Sequence, residues 1–476
     1  MKKNIRALSG LRYVKEQDYF DVSVEIYDWV HSHAQADGSG ISYRINPDAE
    51  VDYTGGPVHG IYSLYSGSAG IGFFLLRLYE ITGEQKYLEE AKQVMSVLLE
   101  KVEGEKFYLD KLKSAPVSDL PITGWHTGIY SGPAGAGVFA LALYGLVKDE
   151  RYLEFAGKLG DDIVRASKED ETGKYLTEDV DVFSDGGFVL YFISLYKTTK
   201  EAKYLELARE YAKHIWGKKI IYDGGSREAG EQDFGCYYVA NEIEKVGMPE
   251  GSIYTGFAHG SAGIGFLFAV LYELDRQEWE LTASKEVARF LQEISDAYGE
   301  GRLIPYVWGT GGVGDYEKKY YLGFCHGPAG TSFLYRKLYE ITGEESYKEF
   351  CEALAKGILE AGAPELNSWG LWNSHCTCCG TPGLIEYFVE MHEFTGKEEY
   401  LEYAKRSAAR VIADSSETTV GRCFYGHWDR TDPRDVQTYT GLYIGAAGAG
   451  ANLLRLYGAL KGKQVTDIWE YGYLHY

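Results

Sequence analysis

Apolar positions along this chain fall into two alternating patterns. One is apolar nearly all round, as in Ile71-Gly-Phe-Phe-Leu-Leu-Arg-Leu-Tyr79. The other places apolar residues at i, i+3, i+4 and i+7 with Glu and Lys between them. It opens at Tyr87-Leu-Glu-Glu-Ala, Tyr152-Leu-Glu-Phe-Ala, Tyr204-Leu-Glu-Leu-Ala, Tyr347-Lys-Glu-Phe-Cys and Tyr400-Leu-Glu-Tyr-Ala. The second pattern predicts helices with one wet face, and the first predicts helices enclosed by others. Short turns of the type Ile81-Thr-Gly-Glu84, Ile341-Thr-Gly-Glu344 and Phe394-Thr-Gly-Lys397 join the two kinds.

A glycine cassette introduces every enclosed stretch. The cassettes are Gly67-Ser-Ala-Gly70, Gly132-Pro-Ala-Gly135, Gly260-Ser-Ala-Gly263, Gly327-Pro-Ala-Gly330, Gly380-Thr-Pro-Gly383 and Gly445-Ala-Ala-Gly448, with a degenerate copy at Ser184-Asp-Gly-Gly187. Their starts, at residues 67, 132, 184, 260, 327, 380 and 445, are 52 to 76 residues apart. Each unit is therefore a loop, an inner helix, a turn and an outer helix. Such a pair cannot cover its own apolar face, so the units must stack. Inner helices that are apolar on all sides favour a closed ring over an open superhelix. The expected fold is all-α: an α/α toroid of seven helical hairpins with the cassette loops at one end. Residues 1–50 are expected to form an N-terminal helical extension or cap, and 51–476 the toroid.

Composition sets limits on what such a ring does. The chain has 476 residues, 45% of them hydrophobic and 25% charged, the profile of a soluble globular protein. Acidic residues outnumber basic ones 70 to 48, for a net charge of −22. That balance argues against nucleic acid or an anionic membrane as the main partner. No stretch approaches the ~18 apolar residues of a membrane span. No apolar run follows Met1-Lys-Lys-Asn-Ile-Arg6, so no signal peptide is read and the cytoplasm is the expected compartment. Seven cysteines are too sparse for a disulfide scaffold.

The cysteines are nevertheless placed with a pattern. Ala258-His259 precedes the fourth cassette, Phe324-Cys325-His326 the fifth, and Cys376-Thr-Cys-Cys379 the sixth. If these loops adjoin, Cys325, Cys378 and Cys379 offer three thiolates to one zinc ion and leave a fourth place open. Three thiolates make zinc a weak Lewis acid, but one able to hold an incoming thiol as a nucleophilic thiolate. The chemistry indicated is thiol activation. Two other readings stay open: a closed structural zinc site with Cys376 as fourth ligand, and plain core thiols or a redox-labile Cys378–Cys379 pair. His259 suits general acid or base work or bracing of its loop. His326 suits a ligand, an acid or a group orienting Cys325. His126 and His375 are weaker candidates, and His427-Trp-Asp-Arg430 belongs either to a lid or to a solvated loop.

Taken together, the seven cassettes with Ala-His-Gly, Cys-His-Gly and Cys-Cys-Gly resemble the lanthionine synthetase C-like (LanC-like) cyclases, from about Ser63 to Leu460. The Cys-Cys-Gly is similar to the cyclase domain of class II lanthipeptide synthetases. The resemblance implies a zinc-bearing α/α toroid that adds peptide Cys thiols to dehydroalanine or dehydrobutyrine, forming (methyl)lanthionine rings in a ribosomally made precursor. It implies Cys325, Cys378 and Cys379 as zinc ligands and His259 as acid or base, with no counterpart for Cys376. As partners it implies the dehydrated precursor peptide, a separate dehydratase and a membrane-bound export complex met peripherally. Stand-alone members carry an Asp shortly before the second cassette, where this chain has Gly128. They carry an Arg where Tyr321 stands and a Tyr where His326 stands. Proton transfer would then pass to His326 or to water. Three alternatives remain: a LanC-like thiol transferase adding glutathione to dehydro residues of proteins, a zinc-containing scaffold that only binds the precursor, and a glycosidase using Asp181 and Asp185.

Overall fold

A computed structural model describes residues 14–48, 60–111, 127–222, 235–239, 252–309, 319–366, 374–426, 436–463 and 465. Seven helices follow the cassettes: α2 (Ser68–Thr82), α4 (Ala134–Val147), α6 (Asp185–Thr199), α8 (Ser261–Asp275), α10 (Pro328–Thr342), α12 (Thr381–Thr395) and α14 (Ala446–Leu460). Seven more alternate with them: α1 (Glu16–His31), α3 (Gln85–Lys101), α5 (Glu150–Ala166), α7 (Ala202–Gly217), α9 (Glu278–Glu293), α11 (Glu345–Glu360) and α13 (Glu398–Asp414). Helices of the first set are buried along most of their length; in α4 every residue from Ala134 to Leu143 is buried. Those of the second set bury one stripe, as in α5, where Tyr152, Phe155, Ala156, Leu159 and Ile163 face inward. The two hydropathy patterns thus translate directly into inner and outer helices.

The glycine of each Thr-Gly turn ends an inner helix. Gly83 takes φ +72° and its N–H returns to Tyr79 O at 2.7 Å, a left-handed cap that glycine adopts without strain. Among the described residues, six short antiparallel two-stranded ribbons, absent from the sequence expectation, also occur. Five of them follow an outer helix within a few residues, where the chain turns back toward the next loop, as at Lys168–Asp170 with Gly173–Tyr175.

The described residues divide into two compact units. One comprises those up to Val102 together with those from Ala361 onward. In it α14 packs between α12 and α2, backed by α13, α1 and α3. Helix α1 serves as the outer partner of α14: Ser23 Oγ donates to Gly450 O at 3.0 Å, across 427 residues of sequence. Arg77 on α2 makes a bidentate pair with Glu386 on α12 at 2.9 and 3.0 Å, and Nη1 also reaches Ala451 O on α14. The other unit runs from Glu103 to Glu360. Its inner row is α4, α6, α8 and α10, each backed by its own outer helix. Among the described residues no helix is long and apolar enough to cross a membrane.

Candidate active site

The cassette glycines exist because the loop before each helix folds back over its first turn. A Cβ on Gly263 would sit 2.1 Å from Phe257 O, one on Gly330 1.9 Å from Phe324 O, and one on Gly383 2.2 Å from Thr377 O. In each case the obstacle is the carbonyl six residues upstream. No side chain fits there, so the intervening residues are clamped in one shape. Those residues are Ala258-His259 in the fourth loop, Cys325-His326 in the fifth and Cys378-Cys379 in the sixth. Backbone bonds join neighbouring loops: Ala258 N donates to Cys325 O at 2.8 Å, and Cys378 N to Tyr443 O at 3.0 Å.

His259 has a partner that the sequence did not reveal. Its Nδ1 lies 2.9 Å from Oδ2 of Asp181, a fully buried carboxylate. The other oxygen of Asp181 accepts from Phe183 N at 2.9 Å and from Ser184 Oγ at 3.0 Å. A carboxylate so held can only accept, so the hydrogen belongs on His259 Nδ1 and Nε2 is the exchanging nitrogen. The expected Asp before the second cassette is impossible at Gly128. That residue's N–H donates to Phe183 O at 2.9 Å, and a Cβ there would lie 2.5 Å from the same oxygen. The carboxylate comes from the degenerate third loop instead.

Aromatic rings enclose the two histidines. Phe183 lies 4.6 Å and His326 5.5 Å from His259, ring centre to ring centre. His326 is buried among Tyr254, Tyr306 and Tyr321 at 4.9, 4.7 and 5.6 Å. The Tyr306 hydroxyl donates to Tyr254 Oη at 3.3 Å, and burial drives the Tyr306 phenol well above its ordinary pKa. Tyr321 thus stands in the wall, where the resemblance had set an Arg. Tyr254 and Tyr306 carried no motif and were missed.

Cys325, Cys378 and Cys379 form a buried group whose Sγ atoms lie within 4.8 Å of one another. Ligand sulfurs around a tetrahedral zinc at ~2.3 Å sit ~3.8 Å apart, so the donor set fits that ion. Cys376 is outside the group: its Sγ accepts the Cys379 N–H at 3.4 Å and lies 3.0 Å from Ser374 Oγ. Tyr65, whose hydroxyl bonds to Cys378, is raised well above the usual phenol range, chiefly by burial and then by the neighbouring sulfurs. It stacks on Tyr443 at 5.4 Å. His375 faces Asp414 at 3.7 Å. His126 and His427–Arg430 lie outside the described residues.

The sequence model of the lanthionine synthetase C-like proteins matches residues 60–464. The chain belongs to this family. Among solved structures it is similar to nisin cyclase, with a TM-score of 0.59 at 16% identity over 93% of this chain and 94% of that one. The expected LanC-like α/α toroid is therefore the fold of this chain. More distant likenesses are the Lin0763 protein from Listeria innocua (TM-score 0.47, 16% identity, 94% and 99% coverage) and an α-1,6-mannanase of Salegentibacter (0.45, 13%, 93% and 99%). In this LanC-like chain the carboxylates weighed for glycoside hydrolysis are already engaged. Asp181 holds His259, and Asp185 accepts from Leu176 N, Thr177 N and Thr177 Oγ1 at 2.9–3.1 Å.

Proposed function

We propose that this LanC-like chain is a zinc-dependent cyclase that forms (methyl)lanthionine rings in a dehydrated, ribosomally made precursor peptide delivered by a separate dehydratase. The observation that carries the reading is the buried Cys325–Cys378–Cys379 group, supported by the nearby His259–Asp181 pair. The three thiols are the ligands; bound there, zinc would hold a peptide Cys as a thiolate that stays nucleophilic.

The reaction joins that sulfur to the β-carbon of a dehydroalanine or dehydrobutyrine. The C=C π electrons move toward the α-carbon and its carbonyl, and the α-carbon then takes a proton. His259 supplies this proton from Nε2. Asp181 keeps Nδ1 protonated and stabilises the imidazolium form that delivers it, a contribution of order 10²–10⁴ in rate for well-placed acid–base groups. Tyr254, Tyr306 and Tyr321 hold His326 and keep bulk water away from it, leaving His326 as the reserve acid.

The test is a peptide bearing one Cys and one dehydroalanine, incubated with the zinc-loaded chain. Ring closure is read as loss of alkylatable thiol. The expected outcome is closure far above the spontaneous rate, abolished in Cys325→Ala and strongly slowed in His259→Ala. A zinc-replete chain that leaves the peptide's rate unchanged, but adds glutathione to dehydroalanine in a folded protein, would replace this reading with the thiol transferase.

A further inference from the structure

The three thiols assigned to zinc are themselves nucleophiles, and the proposed reaction brings a carbon electrophile among them. Three thiolates on a dication leave the centre with a net negative charge, which makes each sulfur electron-rich. A peptide sulfur in the fourth place sits ~3.8 Å from each ligand sulfur, so the β-carbon it attacks passes close to all of them. Such a site needs a device that lowers the reactivity of its own ligands.

For Cys378 the structure supplies one. The Tyr65 hydroxyl bonds to Cys378, and a phenol facing a thiolate is the donor. A relay across the loops ahead of α2, α14 and α12 fixes its aim. Tyr443 N donates to Tyr65 O at 2.9 Å, and Cys378 N donates to Tyr443 O at 3.0 Å. The Tyr65 and Tyr443 rings stack with centres 5.4 Å apart and planes within 5° of parallel. Ser66, next to Tyr65, lies against the seventh loop: a Cβ on Gly441 would sit 2.5 Å from the Ser66 carbonyl oxygen. Cys378 itself is only 3% exposed, so water competes little for the sulfur and the hydrogen bond keeps its strength.

We propose that Tyr65 is a positioning residue that holds down the nucleophilicity of Cys378, so that the dehydro residue is captured by the incoming thiol and not by the protein. The proposal rests on the zinc-ligand assignment above. The side reaction prevented is addition of the Cys378 sulfur to the β-carbon. The sulfur electron pair forms the S–C bond, the C=C π electrons move to the α-carbon, and that carbon takes a proton from water. The product is a thioether at position 378, and the centre loses a thiolate ligand. A hydrogen bond to the sulfur draws on the electron pair that this step needs.

The test uses the full-length zinc-loaded chain and N-acetyldehydroalanine amide, with no thiol added. Adducts are located on each cysteine by mass spectrometry of the digested chain, and zinc release is followed with a chromogenic chelator. Tyr65→Phe keeps the stacked ring and removes only the hydroxyl. The expected result is alkylation of Cys378 about tenfold or more faster in Tyr65→Phe than in the native chain, with zinc leaving in step. Cys236 and Cys351, buried thiols outside the converging group, should stay unmodified in both. Equal rates at Cys378 overturn the proposal. So does a rise shared by Cys236 and Cys351, which would report general loosening of the fold. A native chain that binds no zinc overturns the ligand set and this inference with it. Because the mixture holds no peptide thiol, protection of Cys378 by Tyr65 stands whether or not the chain closes rings.

Discussion

The bond from His259 Nδ1 to Asp181 decides which imidazole nitrogen carries the exchangeable proton. Asp181→Asn keeps the shape but removes the charge that stabilises the imidazolium. The expected outcome is a fall in kcat of about 100-fold with KM and zinc content unchanged, measured on a dehydrated peptide. The thiols separate in the same way by metal analysis. Cys325→Ala is expected to lose the zinc, whereas Cys376→Ala keeps about one ion per chain, since only Cys325 belongs to the converging group. Zinc lost from both variants would mean a closed four-thiolate site.

At the scale of the element, two kinds of glycine carry different loads. Gly70 is packed: a Cβ would meet Leu64 O at 2.2 Å and Leu442 Cβ at 2.8 Å, both parts of the folded-back loops. Gly83 is exposed to open space but sits at φ +72°. Gly70→Ala is therefore expected to cost roughly 3 kcal/mol or more through backbone displacement. Gly83→Ala should cost about 1 kcal/mol through left-handed strain alone. Denaturant unfolding of the two variants checks the difference, and equal losses would refute the clamp. The cassettes and the Thr-Gly turns were legible in the sequence because both are local: each needs a missing side chain at a fixed offset from a helix end. The short ribbons were not legible. At two to four residues a strand, they have too little period-2 pattern to stand out from turns.

Across the whole molecule, buried charge makes stability depend on pH. Burial, with Asp275 alongside, pushes the Glu280 carboxyl up to about 9 from an ordinary value of 4.5. Folded chains hold this proton at neutral pH and unfolded chains do not. Its contribution is thus fully present below about pH 4.5 and is lost progressively as pH rises toward 9. Glu280→Gln, which keeps the neutral shape, is expected to flatten the decline in Tm between pH 5 and 9. An unchanged slope would show that Glu280 ionises normally in the folded state.

What the sequence determined by itself was the repeat: seven cassettes, inner helices apolar all round, outer helices apolar on one stripe, and Cys325, Cys378 and Cys379 placed just ahead of helices. These follow from short-range rules of helical period and chain turning. What only the tertiary structure decided was company. Cys376 and Cys379 share a four-residue motif, yet only Cys379 joins the group with Cys325. Asp181 sits in the loop whose cassette is least regular, 78 residues before the histidine it orients. Tyr254, Tyr306 and Tyr321 are three among 41 tyrosines until the folded loops set them around His326. Period and spacing fix where a side chain leaves its own helix or loop. Which groups meet depends on how separate loops fold back over their helices, and no local pattern encodes that.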